Sequence, residues 1–418
     1  MQQRIALFSM TGERRGRGVD RRQTPRGGRR LTDKLRLALF TAACAAVTMP
    51  ATASAQVKFG FDADSIPRAR QLGMPVAYAS AWAGPWNQKW GWKDVERQLH
   101  AAKDAGVVPV VQWWYWGDDI SPSCVERGCT DRYEGVWKDK AAWTRLSNEL
   151  ADLIVNVMGP GSNALVITET EFNKNGIEDY EPFDGYLADQ AAIFHARQLK
   201  VVLGFGNWGR PQWRNFDRAV AAADVLGTQI LRSSVRDATT YLSGADMLLQ
   251  GALYNQQTFG KPTFITDFAF SSYPEPSYLN DQDTVVRDVF ARMDEFRNAG
   301  VQGMIWRMLA DDPAFDTNNY HGEAERHWGL LHADGSAKPA FTPFLNGMLT
   351  EKAYAEAIEA AAAAAAVDAA QQAAAAQAAA AQAIQAPAIY AKVSGEVPAR
   401  RRGDKVAVGR AVARPAMH

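Results

Sequence analysis

At 418 residues, with 47% of them hydrophobic and 22% charged, the chain has a globular composition and room for one large domain or two to three ordinary ones. Its 46 basic and 46 acidic residues balance only because residues 1–55 carry 11 Lys/Arg against 3 Asp/Glu, leaving 35 against 43 in the rest. A chain with that acidic remainder lacks the basic footprint that nucleic-acid binding needs, so nucleic acid is excluded as a partner.

The N-terminal asymmetry has its own reading. Arg-rich sequence runs to Arg36, the apolar LALFTAACAAV follows, and ATASA precedes Gln56. A charged stretch, a short apolar stretch and a small-residue cleavage site are the anatomy of a secretory signal peptide, with cleavage expected after Ala55. The apolar run is too short to span a bilayer, so no transmembrane span is expected once the signal is removed. The expected destination is periplasmic or extracellular.

From Val57 onward, short apolar runs alternate with amphipathic segments. The runs are VKFGFDAD, MPVAYASAWA, VPVVQWWYWGDD, ALVITETEFN, KVVLGFGNW, DVLGTQILR, PTFITDFAF and VQGMIWRML. Between them lie helical patterns such as WKDVERQLHAAKDAG, AAWTRLSNELADLIVNVMG and TVVRDVFARMDEFRNAG, each with apolar residues three and four apart and each ending on a Gly suited to a C-cap. Strand–helix alternation predicts a parallel sheet. Eight repeats in this length, with no Gly-rich dinucleotide or phosphate loop after any strand, predict a closed (β/α)8 TIM barrel over residues 56–350 and no cofactor. Its closing helix is expected in KPAFTPFLNGML.

Between strands 3 and 4 lies SPSCVERGCT. In an oxidising compartment the close pair Cys124 and Cys129 reads as a disulfide that stiffens a long loop. After Thr350 the composition changes. Residues 351–386 are Ala/Gln-rich and helix-favouring, without the large apolar residues of a coiled-coil seam, and residues 387–418 form a basic tail expected to be disordered.

Active sites of such barrels lie at the C-terminal ends of the strands. The runs end on Asp62 and Asp64, then Gln112, Trp114 and Asp118, then Glu169 and Glu171. Asn207 and Trp208, Arg232, Asp267, and Trp306 with Arg307 complete the ring. No two histidines stand at metal-ligand spacing near these ends, so a metal hydrolase is not expected. Two carboxylates with opposing tasks describe glycoside hydrolysis. Tryptophans after strands 2 and 3, Trp82, Trp86, Trp90, Trp92, Trp113, Trp114 and Trp116, fit a sugar's apolar faces, although some must be core. Trp82, Gln112, Trp114, Asn207, Trp208, Arg232, Trp306 and Asp62 are the expected substrate-binding set.

VITETEFN at strand 4, KPTFITDFAFSS at strand 7 and HWGLLHADGSAKPAF near the end resemble marks of the clan A barrel glycoside hydrolases. The resemblance covers about residues 57–350. It implies an acid/base Glu closing strand 4 and a carboxylate nucleophile at strand 7. Two departures stand out. Thr168 and Thr170, not Asn, precede the two glutamates, and Asp267 stands where the clan has Glu, shorter by roughly 1.5 Å. On an extended strand Glu169 and Glu171 point to the same side; Glu169 is the favoured acid, with Glu171 next, as its electrostatic neighbour. Asp267 is a nucleophile or the base of an inverting reaction, or else the barrel has lost its pair. The expected function is hydrolysis of a polysaccharide or oligosaccharide, with endo action suggested by the rim tryptophans. The alternative is a carbohydrate-binding or polysaccharide-assembly protein that keeps the barrel.

Overall fold

Eight parallel strands close into a barrel in sequence order: β1 Lys58–Asp62, β2 Tyr78–Ala83, β3 Val108–Trp113, β4 Leu165–Thr168, β5 Lys200–Leu203, β6 Val225–Arg232, β7 Thr263–Phe270 and β8 Val301–Trp306. The structure, a computed structural model, describes residues 56–84, 86–115, 140–172, 182–206, 216–232, 244–277, 279–315 and 322–385. Around the barrel run helices α1 Ile66–Gln71, α2 Asn87–Trp90, α3 Lys93–Asp104, α4 Lys140–Met158, α5 Pro182–His195, α6 Asp217–Ala222, α7 Gly244–Phe259, α8 Leu279–Ala291, α9 Met293–Asn298 and α10 Phe341–Gln385. The three glycines expected as C-caps, Gly106, Gly159 and Gly300, have φ of 62°, 90° and 75°, a left-handed conformation that only Gly adopts without cost.

Alternation along each strand sorts the side chains into two cores. Tyr78, Val110, Leu165, Ile167, Val202, Val225, Phe264 and Ile305 fill the barrel interior. Their neighbours in sequence, among them Phe61, Val111, Val166, Val201, Met304 and Trp306, pack outward against the helices. Parallel strands buried on both faces explain the near-continuous apolar runs. Above the interior apolar layer the inward positions turn polar, which puts the polar groups at the C-terminal mouth.

Two expectations about helices change. The pattern over residues 284–300 is two helices, α8 and α9, separated at Arg292 (φ −114°, ψ 22°). Arg292 bonds Asp246 on α7 at 2.6 Å and Glu295 at 2.8 Å. The compositional boundary at residue 350 is no boundary in the backbone: α10 runs through it for 45 residues, about 68 Å. Its first turns carry the buried Phe344 and Met348, and Glu351 pairs with Arg297 of α9. From residue 356 to 382 every residue is exposed. Ala and Gln sustain the helix by propensity alone there, because the stretch has no apolar face with which to dock. Among the described residues no helix is long and apolar enough to cross a membrane.

Candidate active site

The mouth is built by strand parity. Asp62 on β1, Ser80 and Trp82 on β2, Gln112 and then Trp114 from β3, Gln229 on β6 and Arg307 just after β8 all share the parity of their strand's interior residues. Asp267 on β7 joins them through an irregularity. In the pairing with β6, Thr228 faces Ile265 and Gln229 faces Asp267, so Thr266 is an extra residue. The pairing with β8 shifts at the same place. Phe264 points into the barrel, Ile265 and Phe268 point to the helices, and the bulge between them turns Asp267 inward. Bulges re-aim side chains in this way.

Asp267 is 1% exposed, and its two oxygens have different surroundings. Oδ2 accepts from the Arg307 guanidinium at 2.5 Å. Oδ1 has no hydrogen-bond partner among the described residues. Burial pushes the Asp267 carboxyl up to about 6, against the opposing pull of Arg307 and with help from the charges of Glu171 and Asp62. The guanidinium is itself caged by aromatic rings, 4.7 Å from Trp82, 5.8 Å from Phe315 and 5.9 Å from Trp328. Trp114 meets Trp82 edge-on at 5.8 Å.

Around this pair sits a polar ring. Asp62 accepts from the Ser65 backbone at 2.9 Å and from its hydroxyl at 2.5 Å, and burial raises its carboxyl above the usual range. Gln112 is buried beneath the mouth. Its amide donates to Ser80 Oγ at 3.2 Å and Thr266 O at 3.3 Å, and its oxygen accepts from Thr170 Oγ1 at 3.1 Å. Gln112 is therefore part of the floor that ties β2, β3, β4 and β7, and not a group on the surface of the cleft. Arg232 closes β6 half-buried, its Nε without a partner among the described residues.

The end of β4 departs most from the sequence expectation. Glu169 and Glu171 do not lie on an extended strand. Both have positive φ, 49° and 61°, so the chain past Thr168 is a left-handed turn, not an extended strand. Glu169 is 1% exposed and faces the helices. Its Oε1 accepts from Trp143 Nε1 on α4 at 2.8 Å and Gln190 Nε2 on α5 at 3.2 Å, and its Oε2 accepts from the Tyr115 backbone at 3.0 Å. Thr170 takes the inward position, and Glu171 is half-buried with its charge felt at Asp267. Glu169, the first expectation for the acid, is thus directed away from the mouth.

Trp306 is corrected too. It is fully buried on the helix side, edge-on to Phe268 and Phe344, and donates from Nε1 to Trp328 O at 2.9 Å. Asp64 lies outside the mouth, paired with Arg97 on α3. Asn207, Trp208, Cys124 and Cys129 lie outside the described residues. Arg307, which the substrate-binding set omits, was detectable: adjacent strand residues face opposite ways, so Trp306 and Arg307 cannot both face the mouth.

Glu275, Asp311 and His327 bring three ligand atoms within 4.8 Å of one another. A cation is already supplied there by the protein, since the buried Lys338 ammonium lies 2.7 Å from Asp311, 3.3 Å from Glu275 and 2.7 Å from Ser272 Oγ. This cluster ties the loops after β7 and β8 to the entry of α10.

No protein-family model matches the sequence, and no curated protein does. Solved structures do match. A GH5_18 glycoside hydrolase from Bifidobacterium longum subsp. longum aligns over 71% of this chain and 79% of its own at 15% identity, with a TM-score of 0.54. An exo-β-1,4-mannosidase from Opitutaceae bacterium strain TAV5 aligns over 72% and 60% at 12% identity, TM-score 0.53. An endo-1,4-β-D-mannanase from Thermotoga petrophila aligns over 70% and 99% at 12% identity, TM-score 0.51. At these identities the likeness is one of architecture, and what the chain shares with these proteins is the (β/α)8 barrel.

Proposed function

We propose that the protein is an exported glycoside hydrolase in which Asp267 and Glu171 form the reacting carboxylate pair. The observation that carries the reading is the asymmetry of Asp267. One oxygen is held by Arg307 and the other, buried and unpartnered among the described residues, belongs to the polar layer of the barrel mouth. A carboxylate so fixed is oriented by one oxygen and reactive at the other. Glu171 is the acid: its protonated carboxyl gives its proton to the glycosidic oxygen as Asp267 attacks the anomeric carbon. Water then cleaves the resulting ester, with Glu171 taking a proton back.

The first substrate class is a β-linked mannoside. The supporting facts are that the barrels it resembles include an exo-β-1,4-mannosidase and an endo-β-mannanase, and that a variant of the Bifidobacterium protein is solved with Manb1-4GlcNAc. Trp82 and Trp114 would hold the sugar's apolar faces, with Arg232 at the rim; several sugar subsites and endo action belong to the same reading. The second reading, a barrel that binds glycans without cleaving them, is favoured by the Asp267–Arg307 ion pair and by the shorter reach of Asp.

One experiment separates them. The protein without residues 1–55 is incubated with β-manno-oligosaccharides and activated aryl β-glycosides, and the first-formed anomer is followed by NMR. Hydrolysis with retention supports Asp267 as nucleophile, and inversion supports it as a base. Binding of the oligosaccharide with no turnover on any of these substrates sinks the hydrolase reading.

A further inference from the structure

We propose that Glu169 is a positioning residue: its carboxylate, gathered by donors from three separate elements, holds the left-handed turn that presents Glu171 to the barrel mouth. The inference rests on the reading of Glu171 and Asp267 as the reacting pair.

The turn is an unfavourable piece of backbone. Two non-glycine residues with positive φ flank Thr170, where Gly or Asn would be the low-cost choices. Such conformations persist only where the surroundings over-determine them, and they cluster at functional sites. Here the backbone is pinned to both neighbouring strands. The Glu169 amide donates to Trp113 O at the end of β3, and the Glu171 amide donates to Gly204 O just past β5, both at 2.8 Å.

The side chains on either side of Glu171 complete the clamp. Phe172 packs against Phe183, Phe205 and Phe216, with ring centres 4.7 to 6.0 Å apart. Glu169 converges on Trp143, Gln190 and the Tyr115 backbone, and the first two are themselves fully buried. An apolar residue would close the same layer between strand and helices without the expense of burying a carboxylate. What the carboxylate adds is direction: bonds from α4, α5 and the segment after β3 fix which way the chain turns at residue 169. That direction decides that Thr170 reaches Gln112 and that Glu171 follows toward Asp267. A displacement of about 1 Å in a reacting group costs on the order of 100-fold in rate.

The test compares Glu169→Gln, Trp143→Phe and Glu171→Gln in the full chain, on a β-glycoside that the wild type turns over. Glu169→Gln keeps the shape but sets an amide N–H against one of the donors whichever way it is rotated. Trp143→Phe keeps an aromatic ring in the buried position and removes the indole N–H along with the pyrrole half of the side chain. A folded Glu169→Gln variant is expected to lose about 10- to 100-fold in kcat at little-changed KM on substrates whose leaving oxygen needs a proton, and far less on aryl glycosides with acidic phenols, because the misplaced acid is Glu171. Trp143→Phe is expected to fall in the same direction by about 3- to 10-fold. A Glu169→Gln variant that melts lower yet keeps wild-type kcat on both kinds of substrate overturns the positioning role while leaving the reacting pair intact. If Glu169→Gln does not fold, unchanged kcat in Trp143→Phe overturns it instead. Full activity in Glu171→Gln removes the reading on which the proposal stands.

Discussion

Two buried carboxylates close this barrel at β4 and β7, three strands apart, and their partners among the described residues differ. Glu169, in the turn after β4, accepts among the described residues from Trp143 on α4, Gln190 on α5 and the Tyr115 backbone. Asp267, on the bulged strand β7, is gripped by one cation at one oxygen and faces the mouth with the other. Both are 1% exposed, so burial does not tell them apart. What separates them is saturation. A carboxylate whose oxygens are met by fixed donors is a structural element. One whose second oxygen has no donor in a low-dielectric setting holds reactivity that burial amplifies, and its proton affinity rises accordingly.

The largest expected effect follows from removing the unsaturated group. Asp267→Asn should lower kcat by about 10⁴-fold or more, the scale for losing a nucleophile, while an oligosaccharide still binds by calorimetry. Residual activity within about tenfold of wild type would end the contrast between the two carboxylates. Glu171→Gln comes next, with an expected loss of about 10²- to 10⁴-fold on substrates whose leaving oxygen needs a proton. Aryl glycosides with acidic phenols need little protonation and should be far less affected. Equal loss on both substrate types would show that Glu171 does not act as the acid.

Much of this was legible in the sequence, and what was not has physical causes. The eight apolar runs, their order and the polar residues closing them carried the barrel, because parallel strands buried on both faces read as near-continuous apolar runs. Asp267 was visible as a charge in an apolar run. The choice between Glu169 and Glu171 was not visible, because period-two reasoning assumes an extended chain, and here neither left-handed residue is a Gly or Asn that would have flagged the turn. Thr266 gave no sign of being a bulge residue, and without it Asp267 would have been placed facing the helices. Trp306 closes the same run as Arg307 but alternates with it, so only Arg307 takes the mouth. The compositional break at residue 350 suggested a boundary, but helix propensity does not change there, and α10 continues.

The same contrast reaches folding stability. Burial lifts Asp267 from 3.8 to about 6, so the folded protein holds this proton more tightly than the unfolded chain does. Its contribution is therefore fully favourable below about pH 4, is lost as the pH climbs through about 6, and is flat above that. Asp267→Asn cannot titrate in that window. Denaturant titrations at pH 4, 5, 6 and 7 should show the difference in stability between variant and wild type growing in the variant's favour by at most roughly 3 kcal/mol. Raised carboxylates that do not interact with Asp267, such as Asp311, cancel in this difference, being common to both proteins. Parallel profiles would mean that Asp267 is solvated in solution, and its second oxygen would then no longer be distinctive.

The smallest effect isolates the counterion. Arg307 opposes the upward push of burial on Asp267, and its ring-caged guanidinium is shielded from the water that would screen it. Arg307→Met removes the charge and keeps an apolar stem beside Trp82. Desolvation then acts on Asp267 without its main opponent, so the acid limb of kcat/KM should move up by about one unit or more, close to 1.4 kcal/mol per unit. The direction is the informative part. On the proposed mechanism Asp267 must be ionised to attack, so losing Arg307 narrows the active pH range from the acid side. An acid limb that stays put would mean that the ion pair is not what holds Asp267 half-satisfied. The two carboxylates would then differ only in which side of the sheet they face, and strand parity alone would account for the site.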